Sequence, residues 1–278
     1  MKHLITLFIF FTLSCVWSQE NNPQITDHLK YKITYLMKYQ VDSTNSERIQ
    51  SEEMVLYIGD KLSRFSSAGK AIGDSLMNSI DRKNKSQANY AKIRSQIPPT
   101  SFDYYIYKRI PEEKLSFTRK IVKDNFKYIE DLDKIKWNIE ADTKKINGYK
   151  VQKATTDYAG RNYTAWFTSE IPISDGPYKF NGLPGLILKI SDTKNHYSFE
   201  LLKLQKLENF IQFSFNEKDY ISLSKEEFEK IKKRYNMDPI AALERTGMSF
   251  SFPSGERQRM QKEHLEELSK QNNPIELE

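Results

Sequence analysis

The sequence of residues 31–41 is YKITYLMKYQV, in which large apolar side chains alternate with polar ones. The apolar set is Tyr31, Ile33, Tyr35, Met37, Tyr39 and Val41, and the polar set is Lys32, Thr34, Lys38 and Gln40. Successive side chains of a β-strand point to opposite faces of its sheet. This period of two therefore predicts a long strand with one buried aromatic face and one face in solvent.

Shorter stretches with the same alternation continue along the chain as far as Ser222. They lie near residues 54–58, 62–66, 102–110, 115–122, 126–130, 135–140, 149–157, 161–168, 186–191, 197–204 and 210–215. Turn-forming pairs such as Asn147-Gly148 separate them. Connections this short join antiparallel neighbours, because a parallel pair needs a crossover of about a dozen residues. The pattern predicts a mainly β (α+β) fold with one large curved antiparallel sheet, a half-barrel or open barrel, solvated on one face.

The C-terminal part, from about residue 224, is predicted to be helical and to cover one face or end of the sheet. Ser224 and Glu227 have the spacing of a capping box, and Pro239 is typical of a first helical position. Between residues 70 and 95 the alternation is lost, and the composition fits either a helix or a loosely ordered insertion. Residues 19–278 are interpreted as a single β-rich domain.

The first eighteen residues have the pattern of an export signal. A short basic start precedes the apolar run 4–13, and small residues allow cleavage after Ser18. That run is shorter than the roughly 20 residues of a membrane-spanning helix, and no later segment is longer. We therefore expect an exported chain, periplasmic or associated with the outer membrane, with no transmembrane segment after cleavage. The only cysteine, Cys15, is either removed with the signal or lipidated.

The charge pattern does not favour nucleic-acid binding. The formal net charge is +6, but acidic and basic residues are interspersed almost everywhere. The longest basic run, Lys232–Arg234, follows Glu226, Glu227 and Glu229, which is typical of a solvated helix face. Nucleic-acid recognition favours a one-sided basic patch, so we expect no nucleic-acid partner.

The segment 160–188 concentrates the candidate binding residues. About seventeen of its residues, between the strand predicted to end at residue 168 and the next at 186, have no periodicity, and ordered loops of this length are often functional. We predict a ligand or partner site there, at the mouth of the sheet, formed by Arg161, Trp166, Glu170, Asp175, Tyr178, Phe180, Leu183 and Pro184. Structural turns are predicted at Gly176, Gly182 and Gly185. The alternative is a loop that plugs the open end of the sheet, with Arg161 paired to Glu170 or Asp175.

The centre of this segment is Gly182-Leu183-Pro184-Gly185-Leu186-Ile187. Together with Gly160-Arg161, Ala165–Thr168 and Asn273–Leu277, it resembles the GLPGLI family of exported bacterial proteins, found mainly in the Bacteroidetes. The resemblance extends in order over nearly the whole chain, although Val151 stands where cysteine is frequent. It implies export and a β-rich fold. The family is of unknown function, so the resemblance implies no catalytic residues.

No catalytic residue, metal-ligand set or cofactor is predicted. The chain has no G-x-S-x-G nucleophile elbow, and His264 lacks the second histidine of a metal-binding helix. The first hypothesis is an exported non-enzymatic binding or carrier-like protein of the cell envelope, which holds a lipid, an acyl chain or another apolar small molecule against the Tyr and Phe side chains of the sheet. It requires a cavity of about 300 Å3 or more. The second is an accessory or structural partner of an outer-membrane protein, docking through residues 160–188, and the third is an envelope hydrolase.

Overall fold

The computed structural model describes residues 24–80 and 86–278. The predicted signal peptide, its cleavage site and Cys15 lie outside the described residues. The strands of the described chain are β1 (Ile25–Gln40), β2 (Ile49–Ile58), β3 (Ser63–Ser67), β4 (Tyr105–Lys108), β5 (Lys114–Ile121), β6 (Asp124–Asp131), β7 (Asn138–Ile146), β8 (Tyr149–Tyr158), β9 (Arg161–Thr168), β10 (Leu186–Asp192), β11 (Tyr197–Phe215) and β12 (Ile221–Ser222). The α-helices are α1 (Ala68–Asn78), α2 (Gln87–Arg94), α3 (Lys225–Met237), α4 (Pro239–Glu244) and α5 (Glu256–Ser269).

All twelve of these strands belong to one open sheet. Its strand order is β12-β6-β5-β4-β3-β2-β1-β11-β10-β9-β8-β7. Every pair is antiparallel except β12 with β6. The pairing of β1 with β11 joins a first arm, β1–β6, to a second arm, β7–β11. The predicted mainly β fold with a large antiparallel sheet is confirmed.

The sheet curls towards the face that carries Ile33, Tyr35 and Met37, which we call the inner face. All three side chains are completely buried, as the alternation in residues 31–41 predicts. Phe65 in β3 and Phe199 in β11 point to the same face from strands three positions apart. Adjacent strands are about 4.8 Å apart, so these positions would be about 14 Å apart in a flat sheet. Their ring centroids are 6.2 Å apart, so the two arms lean towards each other.

The outer face carries a second apolar cluster, which the sequence analysis did not anticipate. The register of β1 and β11 shifts at Leu29, and the ends of these strands beyond the shift form a two-stranded ribbon. Phe213 and Phe215 of this ribbon bury Tyr107, with ring centroids 5.6 and 4.9 Å away. The Arg64 guanidinium lies 5.2 Å from the Phe213 ring. The expectation that one whole face is solvated is therefore wrong for this part of the sheet, because the long strands fold back over it.

The C-terminal helices cover the sheet beside β6. The predicted capping box is present at the start of α3, where Ser224 and Glu227 exchange hydrogen bonds. Phe228 of α3 is completely buried, with its ring centroid 5.5 Å from Phe117 and 5.3 Å from Tyr128. The region between residues 70 and 95 takes the helical alternative in its described part, as α1 and α2.

The edge strand β7 is irregular. Its pairing with β8 shifts between Ile139 and Thr143. Glu140, inside this bulge, faces β8: its carboxylate lies 2.8 Å from the Lys153 ammonium, and its carbonyl accepts a 2.7 Å hydrogen bond from Gln152. The bulge bends the strand and interrupts the regular ladder.

Candidate functional site

Residues 169–185, between β9 and β10, fold onto the inner face of the sheet, and we call this segment the plug. Tyr178, Phe180 and Leu183 are each at most 4% exposed. The Phe180 ring contacts Tyr163 of β9 at a centroid distance of 4.7 Å, and the Tyr178 ring reaches Tyr104, just before β4, at 6.4 Å. The plug therefore contacts both arms and fills the space between them.

A buried ammonium group anchors the first half of the plug. Lys108 of β4 is completely buried and donates hydrogen bonds to Asp175 Oδ1 at 2.6 Å, the Gly176 carbonyl at 2.7 Å and the Phe180 carbonyl at 2.8 Å. An ammonium has three N–H donors, so all are used. Burial by itself raises the pKa of Asp175, but Lys108 and Arg109 outweigh it and hold the pKa below its ordinary value.

A second buried ion-pair cluster ties the plug to the C-terminus. The Lys179 ammonium pairs with Glu130 of β6 and lies 2.6 Å from Glu276. Glu276 also accepts a 2.7 Å hydrogen bond from the Tyr178 hydroxyl and pairs with Lys225 at 2.8 Å. Burial acts to raise the pKa of Glu276, but Lys179 and Lys225 outweigh it and lower the pKa to about 2.

Arg161 binds the segment after α5, residues 270–278, which we call the tail, rather than a partner in the plug. Its guanidinium donates to the Pro274 carbonyl at 2.6 Å and to the Asn273 side chain at 2.7 Å, and it pairs with Asp192 at 2.9 Å. The expected pairing of Arg161 with Glu170 or Asp175 is therefore wrong. Asp175 forms its ion pair with Lys108 instead, and the side chain of Glu170 accepts a hydrogen bond from the backbone amide of Lys150.

The glycines of the plug are required for two different reasons. Gly182 and Gly185 have φ angles of +91° and +150°, in the region that side chains rarely adopt. A Cβ on Gly185 would also lie 2.0 Å from the Thr168 carbonyl oxygen. Gly176 has an ordinary φ, but a Cβ there would lie 2.7 Å from Ile187 Cδ1. These contacts fix the path of the plug.

Five of the eight predicted binding residues thus make internal contacts, and three remain near the surface. Arg161, Asp175, Tyr178, Phe180 and Leu183 form the first group. Trp166 lies on the outer face beneath the Lys144 ammonium, which is 3.7 Å from its ring centroid. Glu170 is exposed and accepts a 2.9 Å hydrogen bond from the Lys150 amide, and Pro184 is exposed.

Lys108, Lys179, Glu130 and Glu276 were missed by the sequence analysis. One signal could have found Lys108: Ile106 and Lys108 occupy alternate positions of β4, so the lysine lies on the apolar face. Glu276 carried no such signal, because its burial depends on where the tail docks.

The larger cavities lie away from the plug. One of about 660 Å3 lies beside α5, and one of about 520 Å3 lies on the outer face at β11. A third, of about 370 Å3, lies where the end of α3 and α5 meet β5. Within the described ranges, no cluster of three histidine, cysteine, aspartate or glutamate side chains could hold a metal. No helix of residues 24–80 or 86–278 has the length and apolar character of a membrane span.

Comparison with known proteins finds a family match over the plug. Residues 159–189 match the model of a family described as a protein of unknown function (Porph_ging). No curated protein matches the chain. Two structures of PNGF-II, in the P21 and C2 space groups, are similar, with TM-scores of 0.52 and 0.51 and sequence identities of 14% and 17%. They cover 75% and 77% of this chain, which spans 34% of each of theirs. At this identity the likeness shows the fold alone.

Proposed function

We propose that this protein is an exported, non-enzymatic accessory protein of the cell envelope, which binds an outer-membrane partner protein through the surface of the plug. One observation carries the proposal: the plug fills the inner face of the sheet. Tyr35, Phe65 and Phe199, which would line a ligand cavity on the sheet, are instead at most 1% exposed. What remains for binding is the outside of the molecule.

The carrier hypothesis is the weaker alternative. An apolar ligand on the inner face would have to displace Phe180 and Leu183. It would also separate Lys108 from Asp175, and breaking a buried ion pair costs about 3–5 kcal/mol. We therefore rank a lipid or acyl-chain carrier below a protein that binds a partner. A hydrolase has less support, since His196 and His264 hydrogen-bond to Arg161 and the Asn236 carbonyl rather than to a serine.

The plug offers a rigid surface for a partner. Its exposed residues include Glu170, Pro172 and Pro184. Beneath them, Lys108 bonds to two backbone carbonyls of the plug and Glu276 pairs with its Lys179, which fixes the plug in place. A surface that is ordered before binding loses little conformational entropy when a complex forms. Prolines add to this effect because their φ angle is already fixed.

The cellular location rests on the sequence. The N-terminal pattern of a basic start, a short apolar run and small residues supports export, and so does the resemblance to the GLPGLI family. The match of residues 159–189 to a family of unknown function is compatible with this assignment. A periplasmic or outer-membrane-associated location follows from export and supports an outer-membrane protein as the partner.

Site-specific photo-crosslinking in the native host tests the proposal. A photoreactive amino acid at position 170 or 184 should give one discrete adduct containing an outer-membrane protein. The same residue at Ile129, which is 43% exposed on β6 of the first arm, is the matched control and should not give that adduct. Absence of an adduct at 170 and 184, or the same products from all three positions, would refute partner binding through the plug.

Native mass spectrometry of protein purified from the host distinguishes the carrier. We expect the mass of the processed polypeptide with no bound lipid. A lipid present at one equivalent after gentle extraction would instead show that the plug moves aside, and would restore the first hypothesis.

A further inference from the structure

The cavity of about 370 Å3 lies at the junction of β5, α3 and α5, away from the plug. Its wall is formed by Ser101, Arg119, Tyr235, Asn236, Pro239, His264, Glu267, Leu268 and Gln271. The volume is within the roughly 300–1,000 Å3 of small-molecule sites. Most of these side chains are polar, so the cavity differs in character from the apolar inner face.

Arg119 is the unusual member of this wall. Arg119 lies two residues after Phe117 in β5, so both side chains point to the same face of the sheet. Its partner in the neighbouring strand β6 is Phe126. It therefore extends from the inner face, where neighbouring residues are apolar. Within residues 24–80 and 86–278 its guanidinium has no carboxylate within 4.0 Å and no hydrogen-bond partner, although arginine carries five N–H donors. The side chain is half-buried, and a charge that is partly withdrawn from water is stabilised by a counter-charge.

Glu267, the one acidic residue among those that form this wall, does not supply this charge. Glu267 pairs with Arg48 at 2.6 Å and with Lys270 at 3.5 Å. Its carboxylate is thus already shared between two other cations. The positive charge of Arg119 remains available to a bound molecule.

Several neutral polar groups face the same cavity with unused hydrogen-bonding capacity. The side chains of Tyr235, Asn236 and Gln271 line the wall and form no hydrogen bond to another described residue. His264 Nε2 lies 2.6 Å from the Asn236 carbonyl oxygen. Because that oxygen can only accept, Nε2 donates to it, and the amide oxygens of Asn236 and Gln271 are the acceptors of the wall. The wall therefore offers both donors and acceptors.

Unsatisfied polar atoms are concentrated next to this cavity. The described residues contain three buried side-chain polar atoms without a hydrogen-bond partner, and two of them are Arg48 Nη1 and Glu52 Oε1. Arg48 pairs with the wall residue Glu267, and Glu52 accepts from the amide of the wall residue Ser101 at 3.2 Å. Such groups are rare in native structures, and each calls for a partner such as a water, an ion or a ligand.

We infer that this cavity binds a small polar molecule with one oxyanion group, which pairs with Arg119. The planar guanidinium matches a carboxylate or a phosphate in two parallel hydrogen bonds. Tyr235, Asn236 and Gln271 then bond to hydroxyl or carbonyl groups of the rest of the molecule. This inference is independent of partner binding by the plug, because it uses none of the residues 169–185.

Calorimetric titration of the full processed protein tests it, with glucuronate, inorganic phosphate and glucose as probes. We expect saturable binding of glucuronate, of phosphate or of both, and none of uncharged glucose, which matches glucuronate in size. Binding of glucuronate alone assigns a carboxylate ligand, and binding of phosphate alone assigns a phosphate ligand. If neither anion binds at millimolar concentration, the inference is wrong.

Two variants and one control locate the site. Arg119→Gln should weaken anion binding by about tenfold or more, since a charge-assisted hydrogen bond is lost. Lys120→Gln removes the same charge from the exposed neighbouring residue of β5 and should bind like the wild type. Gln271→Ala, at an exposed position where misfolding is not expected, should weaken glucuronate binding. Equal affinities of wild type, R119Q and Q271A, or equal losses in R119Q and K120Q, would overturn the assignment.

Discussion

At the scale of single residues, the inner face depends on charged groups that are buried in pairs. Lys108 with Asp175 and Lys179 with Glu130 lie in an interior that is largely apolar. A buried ion pair rarely stabilises a fold more than apolar residues of the same shape would, but removing one partner leaves the other charge unpaired. These pairs therefore fix where the plug sits, and their loss should be costly.

Replacing Lys108 with methionine tests this argument. Lys108→Met leaves the Asp175 carboxylate buried with only Arg109 as a cation, at 3.1 Å. We expect the free energy of unfolding to fall by about 3–5 kcal/mol, measured by urea denaturation. The control is Lys136→Met, because Lys136 and Asp133 form a pair in which both side chains are more than 80% exposed. It should change stability by less than about 0.5 kcal/mol, and equal effects would contradict the role of Lys108.

Gly185 gives a steric prediction. In Gly185→Ala the new Cβ would lie 2.0 Å from the Thr168 carbonyl, at a φ of +150°. The backbone of the plug must then shift, and we expect a loss of more than about 4 kcal/mol or failure to fold. Gly247→Ala has a φ of +90° with no atom within 4 Å, so it should lose only about 1–2 kcal/mol. Thermal unfolding of the two variants separates the clash from backbone strain.

Glu276 predicts a dependence of stability on pH. Its pKa is about 2 in the folded protein, against an ordinary value of 4.5. Because folding lowers this pKa, the ionised carboxylate of Glu276 stabilises the folded protein fully above pH 4.5, and this stabilisation is lost as the pH falls towards 2. It amounts to about 3 kcal/mol. Glu276→Gln should therefore be less stable than the wild type at neutral pH, and the difference should vanish in acid.

The control for this experiment is Glu266→Gln. Glu266 forms only a loose surface pair with Lys262, at 3.9 Å. Urea denaturation from pH 7 to pH 2 should give parallel curves for this variant and the wild type. If the curve of E276Q also runs parallel to that of the wild type, the charge of Glu276 does not make stability depend on pH.

At the scale of elements, the sequence predicts most strands and little of what they contact. The alternation in residues 31–41 predicts which side chains of β1 point to the inner face, because successive side chains of a strand point to opposite faces. The sequence predicts separate strands at 197–204 and 210–215, whereas both runs belong to the single strand β11, because pairing with β1 outweighs local composition. Six of the eight predicted binding residues lie in the plug, and composition alone predicts them. The partners of Arg161 were predicted wrongly, because Lys108 and the tail are distant in sequence.

The contact between α3 and the sheet gives an element-scale prediction. Phe228 is completely buried against two aromatic rings of β5 and β6. Phe228→Ala should lose about 3–5 kcal/mol of stability and loosen α3, which amide hydrogen exchange of Lys225–Met237 would show. Phe250→Ala, at a ring that is 41% exposed, should lose less than about 1 kcal/mol. Unchanged exchange in F228A would mean that α3 is held by other contacts.

At the scale of the whole molecule, the plug and the tail connect the two arms of the sheet. The plug contacts Tyr104 and Lys108 on one side and Tyr163 on the other. The tail joins Arg161 of the second arm to Lys225 of α3, which packs on the first. Without these links, the arms would be held together by the pairing of β1 with β11 and by the aromatic contacts of β11 with Phe65 and Tyr107. We therefore expect the arms to unfold together.

Two spectroscopic signals can test this cooperativity. Trp166 lies on the second arm and Trp137 directly before its first strand. The helical signal comes from α1–α5, of which α1 and α3 pack on the first arm. Urea unfolding followed by tryptophan fluorescence and by circular dichroism should give one shared midpoint, as two-state behaviour requires. Separate midpoints would show that the arms unfold independently.

The irregular edge at β7 has a consequence for how the molecule behaves among its own copies. An open sheet ends in a strand with unused amides and carbonyls, which can recruit another extended chain and start a fibril. Here the edge strand is bent by the bulge around Glu140, and it carries the neighbouring charges Asp142, Lys144 and Lys145. Another extended chain therefore cannot pair with it regularly. Straightening this rim would therefore expose a regular row of amides and carbonyls, to which another copy of the chain could add.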